Sequence, residues 1–97
     1  MARNITKKDL IDGIVSRTGI DVKHVRRVSI EFLNAICLHL ARYERIEIRE
    51  FGVFSVMRRK RRMARNPRTG EPAEVPERYA PVFKFSPSVL KKVADIN

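Results

Sequence analysis

Apolar residues recur at helical spacing near the start of the chain and predict a first helix over residues 7–17. They occupy positions i, i+1, i+4 and i+5, namely Leu10, Ile11, Ile14 and Val15. Thr6 and Asp9 are spaced as a capping box with Asp in place of Glu. Gly19 suits the left-handed position that commonly ends a helix. We therefore expect the helix to begin just after Thr6 and to end at about Arg17, with the break at residues 18–20.

A second helix is predicted over residues 22–43, with Asp21 as its N-cap. From Val28 onward its apolar residues cover well over one face. A helix with this pattern must be buried on most sides, and a chain of 97 residues can hardly cover it alone. We expect a second copy of the chain or a related subunit to cover it.

After Tyr43 the hydrophobic period changes from 3.6 to 2, which indicates strands. Residues 45–49 alternate strictly, with isoleucines on one face and Arg45, Glu47 and Arg49 on the other. A second strand is predicted over residues 53–64. A third returns through Tyr79, Val82 and Phe83, and its prolines favour an exposed edge position.

Together these elements predict an α+β fold in one small domain, residues 1–97. Two N-terminal helices (1–44) form a dimerisation part, and a three-stranded antiparallel sheet with a protruding β-hairpin arm follows (45–86). A short helix at 87–97 completes the chain, with Ser86 before Pro87 as a favourable helix start. The arm, about residues 58–76, has almost no large apolar side chains, so it should project from the body and be mobile.

Charge changes this picture most. The chain has 21 Lys and Arg against 11 Asp and Glu, a formal net charge of +10, and a sequence pI of about 10.7. Residues 51–70 have seven basic residues and no acidic one: Arg58, Arg59, Lys60, Arg61, Arg62, Arg65 and Arg68. An internal basic run between strand-like segments is not typical of a solvated tail. A polyanionic partner is the first hypothesis.

Other function classes find little support. One cysteine, Cys37, and two histidines are too few for a typical structural metal site. No catalytic triad or phosphate-binding glycine loop is visible in the sequence. We expect no enzyme activity, metal, cofactor or small-molecule substrate. No apolar run is long enough to span a bilayer, and the first nine residues do not resemble a signal peptide. We expect a cytoplasmic protein without membrane contact.

Residues 65–70 form the strongest turn signal of the chain: Asn66 can bond its own backbone, Pro67 presets φ, and Gly70 accepts a positive φ. By residue type alone Pro67 is a plain turn residue or an apolar wedge for base pairs. A helix-turn-helix reader is disfavoured because the second helix is too apolar to face base edges. A basic protein that binds structured RNA remains open.

The tip Arg-Asn-Pro-Arg-Thr-Gly at 65–70, with Gly-Val-Phe at 52–54 and Phe83-Lys84, resembles the bacterial HU and integration host factor family of DNA-bending proteins. Two stretches, 45–49 and 75–84, are more similar to the integration host factor beta subunit than to HU. The resemblance implies an intertwined dimer, homodimer or heterodimer with a related subunit, whose arms embrace double-stranded DNA through the minor groove. It also implies a nucleoid protein with roles in DNA condensation, recombination, replication or transcription.

The resemblance further implies site residues. Pro67 would intercalate and kink the duplex. Contacts from the arm and its base would come from Arg58, Arg59, Lys60, Arg61, Arg62, Arg65, Asn66, Arg68 and Arg78. The sheet would add Arg45, Glu47 and Arg49, and helix N-termini would add Thr6, Lys7, Lys84 and Ser86 as flanking phosphate clamps. Glu50 departs from the family's usual Gly, so a positive φ there would be strained.

Overall fold

The computed structural model describes residues 3–96 and divides the chain into two compact units, one up to Leu38 and one from His39. In the first unit, α1 spans Lys7–Thr18 and α2 begins at Val22. Ile11 on α1 and Val25 on α2 are its buried residues. The capping box and the left-handed Gly19, with a φ of 72°, are both present, so the predicted limits of the first helix are confirmed to within one residue.

The second helix is shorter than its apolar pattern predicted, because α2 spans Val22–Ala41 and Tyr43 lies outside it. Tyr43 has a φ of 60°. Its N–H donates to the Leu40 carbonyl at 3.0 Å, and the Glu44 N–H donates to the His39 carbonyl at 3.1 Å. This is a Schellman ending with a tyrosine where glycine is usual. Apolar periodicity cannot mark such an ending, because Tyr43 still fits the apolar pattern.

The second unit contains a three-stranded antiparallel sheet, as predicted. Its strands are β1 (Ile46–Ile48), β2 (Gly52–Arg59) and an edge strand at Arg78–Phe85, with β2 in the centre. The edge position agrees with the prolines of that segment. Arg45 and Arg49 flank β1 instead of belonging to it, which corrects the predicted strand at 45–49.

The predicted second and third strands are each divided in two. Beyond β2 the chain forms β3 (Arg62–Arg65), which pairs with β4 (Pro72–Val75) in a separate two-stranded sheet. The edge strand Arg78–Phe85 is therefore β5. Pairing is interrupted at residues 60–61 and 76–77, where Pro76 has no N–H to donate. The short C-terminal helix α3 spans Pro87–Ile96, and the Ser86 carbonyl accepts from Val89 and Leu90 at 3.1 and 3.2 Å.

Aromatic residues hold one face of the sheet together. Phe54 and Phe83 face each other in the β2–β5 register with ring centroids 4.4 Å apart, and Phe85 meets Phe83 edge-on at 4.7 Å. A Cβ on Gly52 would lie 2.5 Å from Phe83 Cζ and 2.6 Å from the Lys84 carbonyl oxygen. Glycine is therefore required at position 52, because no side chain fits between these groups.

Candidate nucleic-acid interface

The arm is a continuous antiparallel ribbon whose register survives the interruption. Arg59 faces Arg78 at the end of the body sheet, and Arg62 faces Val75 at the start of the hairpin. Both strands advance by three residues between these pairs, so neither strand carries an inserted residue. Side chains therefore keep alternating between the two faces of the ribbon along its whole length.

An open hollow of about 590 Å³ lies around this interruption and is lined entirely by basic residues. They are Arg58, Arg59, Lys60, Arg61, Arg62 and Arg78. Arg59 and Arg78 are directly opposite each other across the strands, an arrangement that repels and costs about 0.2–1 kcal/mol in a sheet. Like charges kept together at such a cost form a site for a polyanion, whose negative charges would relieve the repulsion.

Two of these arginines are paired with carboxylates. Arg58 donates to both carboxylate oxygens of Glu77, from Nε at 2.8 Å and from Nη2 at 3.0 Å. Arg61 forms an ion pair with Glu74. All four side chains are at least 44% exposed to solvent. Sequence reasoning missed both glutamates as part of the site, although the register implied by the turn at 66–70 could have placed them near these arginines.

The tip of the arm is a tight turn stabilised by its own side chains. Asn66 Oδ1 accepts from the Arg68 N–H at 2.9 Å, and the Gly70 N–H donates to the Asn66 carbonyl at 2.7 Å. Arg65 Nη1 donates to the Gly70 carbonyl at 2.9 Å. The predicted self-bonding of Asn66 is confirmed, so its side chain shapes the turn. Pro67 is exposed at the tip.

Strand alternation places Arg59, Arg78 and Lys84 on the sheet face opposite Phe54 and Phe83. A second hollow, near the N-terminus of α3, brings together several of the predicted contact residues from different elements. It is lined among others by Glu47, Arg49, Glu50, Lys84 and Ser86. The acidic side chains reduce the positive charge of this second hollow, which is therefore less favourable for a polyanion than the arm.

The remaining predicted contacts are placed differently. Arg45 Nη1 lies 3.4 Å from Glu47 Oε2, so these two residues pair with each other. Thr6 and Lys7 are exposed and belong to the first unit, whereas the sheet and the arm belong to the second. The Thr6 hydroxyl accepts from the Asp9 N–H at 3.2 Å and donates to Asp9 Oδ2 at 3.0 Å. The first turn of α1 is thus already occupied by a carboxylate.

Hydrogen bonds from the Thr6 backbone N–H and hydroxyl lower the pKa of Asp9.

Between residues 3 and 96 no cluster of His, Cys, Asp and Glu could hold a metal ion. No helix in the same span is long and apolar enough to cross a membrane.

Comparison with known proteins agrees with this geometry. Residues 5–94 match the family model described as bacterial DNA-binding protein. The integration host factor subunit beta of Actinobacillus pleuropneumoniae is 40% identical over 90 residues, which cover 92% of this chain and 97% of that protein. The DNA-binding protein HU of Thermotoga maritima is 36% identical over 89 residues, which cover 92% and 99% of the two chains.

Among solved structures, an Anabaena HU–DNA cocrystal structure matches with a TM-score of 0.85 and 28% identity, over 93% of this chain and 98% of that chain. Both HU and integration host factor are thus among its relatives, and the resemblance inferred from the tip motif is confirmed. The order of helices and strands, the basic arm with its proline tip and these matches together show that the chain belongs to the bacterial DNA-binding protein family of HU and integration host factor.

Proposed function

We propose that this protein is an architectural DNA-binding protein that grips double-stranded DNA with its arm and bends it, without enzyme activity. The observation that carries the proposal is the arm itself, a ribbon with an all-basic hollow at its base and an exposed proline at its tip. The cocrystal structure of an HU protein with DNA supports duplex DNA as the polyanion, because its chain has a similar fold.

Arginine is suited to this task. The guanidinium group binds phosphate oxygens and is attracted to the electronegative minor groove. Of the seven cations at 58–68, Arg58 and Arg61 are held by glutamates, and five have no carboxylate partner in the described part of the chain: Arg59, Lys60, Arg62, Arg65 and Arg68. Arg65 Nη1 donates to the Gly70 carbonyl, so the side chains of the other four can contact phosphates without first leaving a partner named here.

Pro67 is proposed to act as the wedge. Minor-groove architectural proteins, HU and integration host factor among them, insert an apolar side chain between base pairs and kink the duplex. The unstacking costs a few kcal/mol, which contacts from the flanking DNA offset. Asn66, Arg65 and Gly70 hold the turn from the inside and leave Pro67 at the outer end of the arm.

The same proposal includes a dimer, formed with a second copy or with a related subunit. An apolar groove in the first unit is lined by residues of both helices, among them Leu10, Ile14, Val28, Phe32 and Leu33. Phe32 is 57% exposed and Val28 67% exposed in the single chain. Apolar exposure on this scale is typical of an interface. Two arms could then hold the duplex from both sides.

Within a bacterial cell, we propose that the protein works on the nucleoid in the cytoplasm. Bending serves DNA condensation there, and it brings distant sites together in recombination, replication or transcription.

The acidic residues Glu47 and Glu50 in the second hollow, beside Arg49 and Lys84, would keep the contacts of the flanking DNA weaker than those of the arm.

Energy transfer between the ends of a labelled duplex of about 35 base pairs tests the proposal. The parent protein should bring the ends closer. Pro67→Ala should still bind at low salt, because every charge remains, yet bend the duplex less. A nicked duplex has little bending cost and should largely restore the affinity of the variant. Pro76→Ala, in the same arm but at its base, is the matched control.

Equal bending by Pro67→Ala and the parent would make Pro67 a turn residue and refute the wedge. Structured RNA of equal length serves as a competitor at the same salt concentration. If the protein binds the RNA more tightly than the duplex, structured RNA and not duplex DNA is its ligand.

A further inference from the structure

Two ion pairs cross the arm where strand pairing is interrupted. Arg58 belongs to β2 and faces Tyr79, so its partner Glu77 lies two residues further along the opposite strand. Arg61 and Glu74 repeat this diagonal arrangement on the other side of the interruption. By strand alternation the two pairs lie on opposite faces of the ribbon. One ion pair thus connects the strands on each face, where the ladder between β2–β5 and β3–β4 is missing.

We propose that Glu74 and Glu77 are internal substitutes for DNA phosphates, which hold Arg61 and Arg58 until duplex DNA takes these arginines by exchange. The inference rests on the proposed function. It makes the two glutamates positioning residues that determine how strongly the arm responds to salt and how firmly the arm is joined to the body before DNA arrives.

The exchange is physically accessible because the pairs are exposed. All four side chains are between 44% and 71% accessible, and exposed ion pairs contribute little stability. A duplex presents a dense array of phosphates, so an arginine that leaves its glutamate meets several negative charges instead of one. The bidentate geometry that Arg58 uses on Glu77 is also the geometry by which arginine binds phosphate.

Exchange also changes the count of released ions. An arginine that binds a phosphate releases about 0.9 cation from the DNA. If that arginine leaves a glutamate behind, the unpaired carboxylate attracts cations again. Arg58 and Arg61 should therefore add less to the salt dependence than Arg59 and Arg62, which have no carboxylate partner in the described chain.

The hairpin offers a matched control for this argument. Glu71 is its third acidic residue, it is exposed, and its side chain has no ion pair among residues 3–96. Glu71→Gln removes the same charge from the same arm without freeing an arginine. A general effect of charge would appear in all three Gln variants, whereas an exchange effect is confined to Glu74 and Glu77.

The test measures duplex affinity against salt for the full-length protein and for the variants Glu74→Gln, Glu77→Gln and Glu71→Gln. Thermal unfolding of each variant, followed by circular dichroism, checks that the fold is kept. Glu74→Gln and Glu77→Gln should each bind up to about 5-fold more tightly at low salt. Each should also steepen the slope of log K against log salt by up to about one unit per exchanged arginine.

A double-mutant cycle separates exchange from simple repulsion. Arg61→Gln should reduce affinity more in the Glu74→Gln background than in the parent, since only the parent arginine must first leave a carboxylate. In the Glu71→Gln background the loss should equal that of the parent. Additive effects of Arg61 and Glu74, or equal gains from all three Gln variants, would overturn the exchange. Failure of the parent to bind duplex DNA would overturn the proposed function itself.

Discussion

Among residues 3–96, two residues other than glycine adopt a left-handed backbone, and their surroundings differ. Tyr43, with a φ of 60°, stacks on Tyr79 with ring centroids 4.8 Å apart. That contact and the Schellman hydrogen bonds offset the strain. Glu50, with a φ of 65°, is exposed in the turn in which the Phe51 N–H donates to the Ile48 carbonyl. The strain expected at Glu50 from the sequence is therefore present.

Glu50→Gly should raise the free energy of unfolding by about 1 kcal/mol, because glycine adopts a positive φ without the clash of a Cβ. Urea unfolding measures the change. Glu50→Ala removes the charge but keeps the Cβ, so it should bring no such gain. Equal stabilisation by Ala and Gly would assign the effect to the carboxylate.

The α1 cap should make stability depend on acid pH. Hydrogen bonds from Thr6 lower the pKa of Asp9 in the folded chain. Its contribution is therefore present above the pKa of an unfolded Asp, about 3.9, and is lost as the pH falls through the lower folded value. Measured by urea unfolding, the free energy of unfolding of Asp9→Asn should fall less below pH 4 than that of the parent. Asp12→Asn, which removes only a surface ion pair with Lys8, is the control; a parent-like acid loss in Asp9→Asn would contradict the prediction.

At the scale of elements, helices and body strands follow the hydrophobic pattern closely, and the arm does not. Residues 58–62 are all charged, so they have no alternation that could show where pairing stops. Residues 60–61 are unpaired opposite Pro76, and a proline in the returning strand already indicates a missing hydrogen-bond donor there. The location of the interruption on both strands depends on register, and register is a property of two strands together.

The close approach of β2 and β5 at Gly52 predicts a large effect of a single methyl group. Gly52→Ala should lower the free energy of unfolding by about 3 kcal/mol, because the new Cβ overlaps Phe83 and the Lys84 carbonyl. Urea unfolding provides the measurement. A Cβ on Gly19 would meet no neighbouring atom, so the left-handed φ of 72° is the one source of strain at that position. Gly19→Ala should therefore lower the free energy of unfolding by about 1 kcal/mol. Equal losses for the two variants would show that overlap at Gly52 is relieved by movement.

At the scale of the whole molecule, the described chain is short of a core. Ile11 and Val25 are its buried apolar residues, whereas Phe32, Leu33 and Leu38 are each about half exposed. A chain of 97 residues has too few other residues to cover both sides of α2. A partner chain is the direct way to bury this surface.

The unfolding midpoint of the purified protein should therefore rise with its concentration, as it does when folding and association are coupled. Phe32→Asp should prevent folding, since an unpaired charge in a buried interface costs several kcal/mol. Asn34→Asp places the same charge on the polar stripe of α2 with Arg27 and Glu31 and should fold normally. A melt independent of concentration, with the mass of a monomer, would refute the dimer.

By itself the sequence determined the features that depend on neighbours along the chain. The Thr6 cap, the turn at Asn66 and the helical periods all rest on hydrogen bonds or spacings within a few residues, so their residue types were enough to place them. Only the tertiary structure decided the pairing of Arg58 with Glu77, the faces of Arg59 and Lys84, and the stacking of Tyr43 on Tyr79 just beyond the end of α2. Arg58 and Glu77 are nineteen residues apart, and only the register of two strands brings such residues into contact.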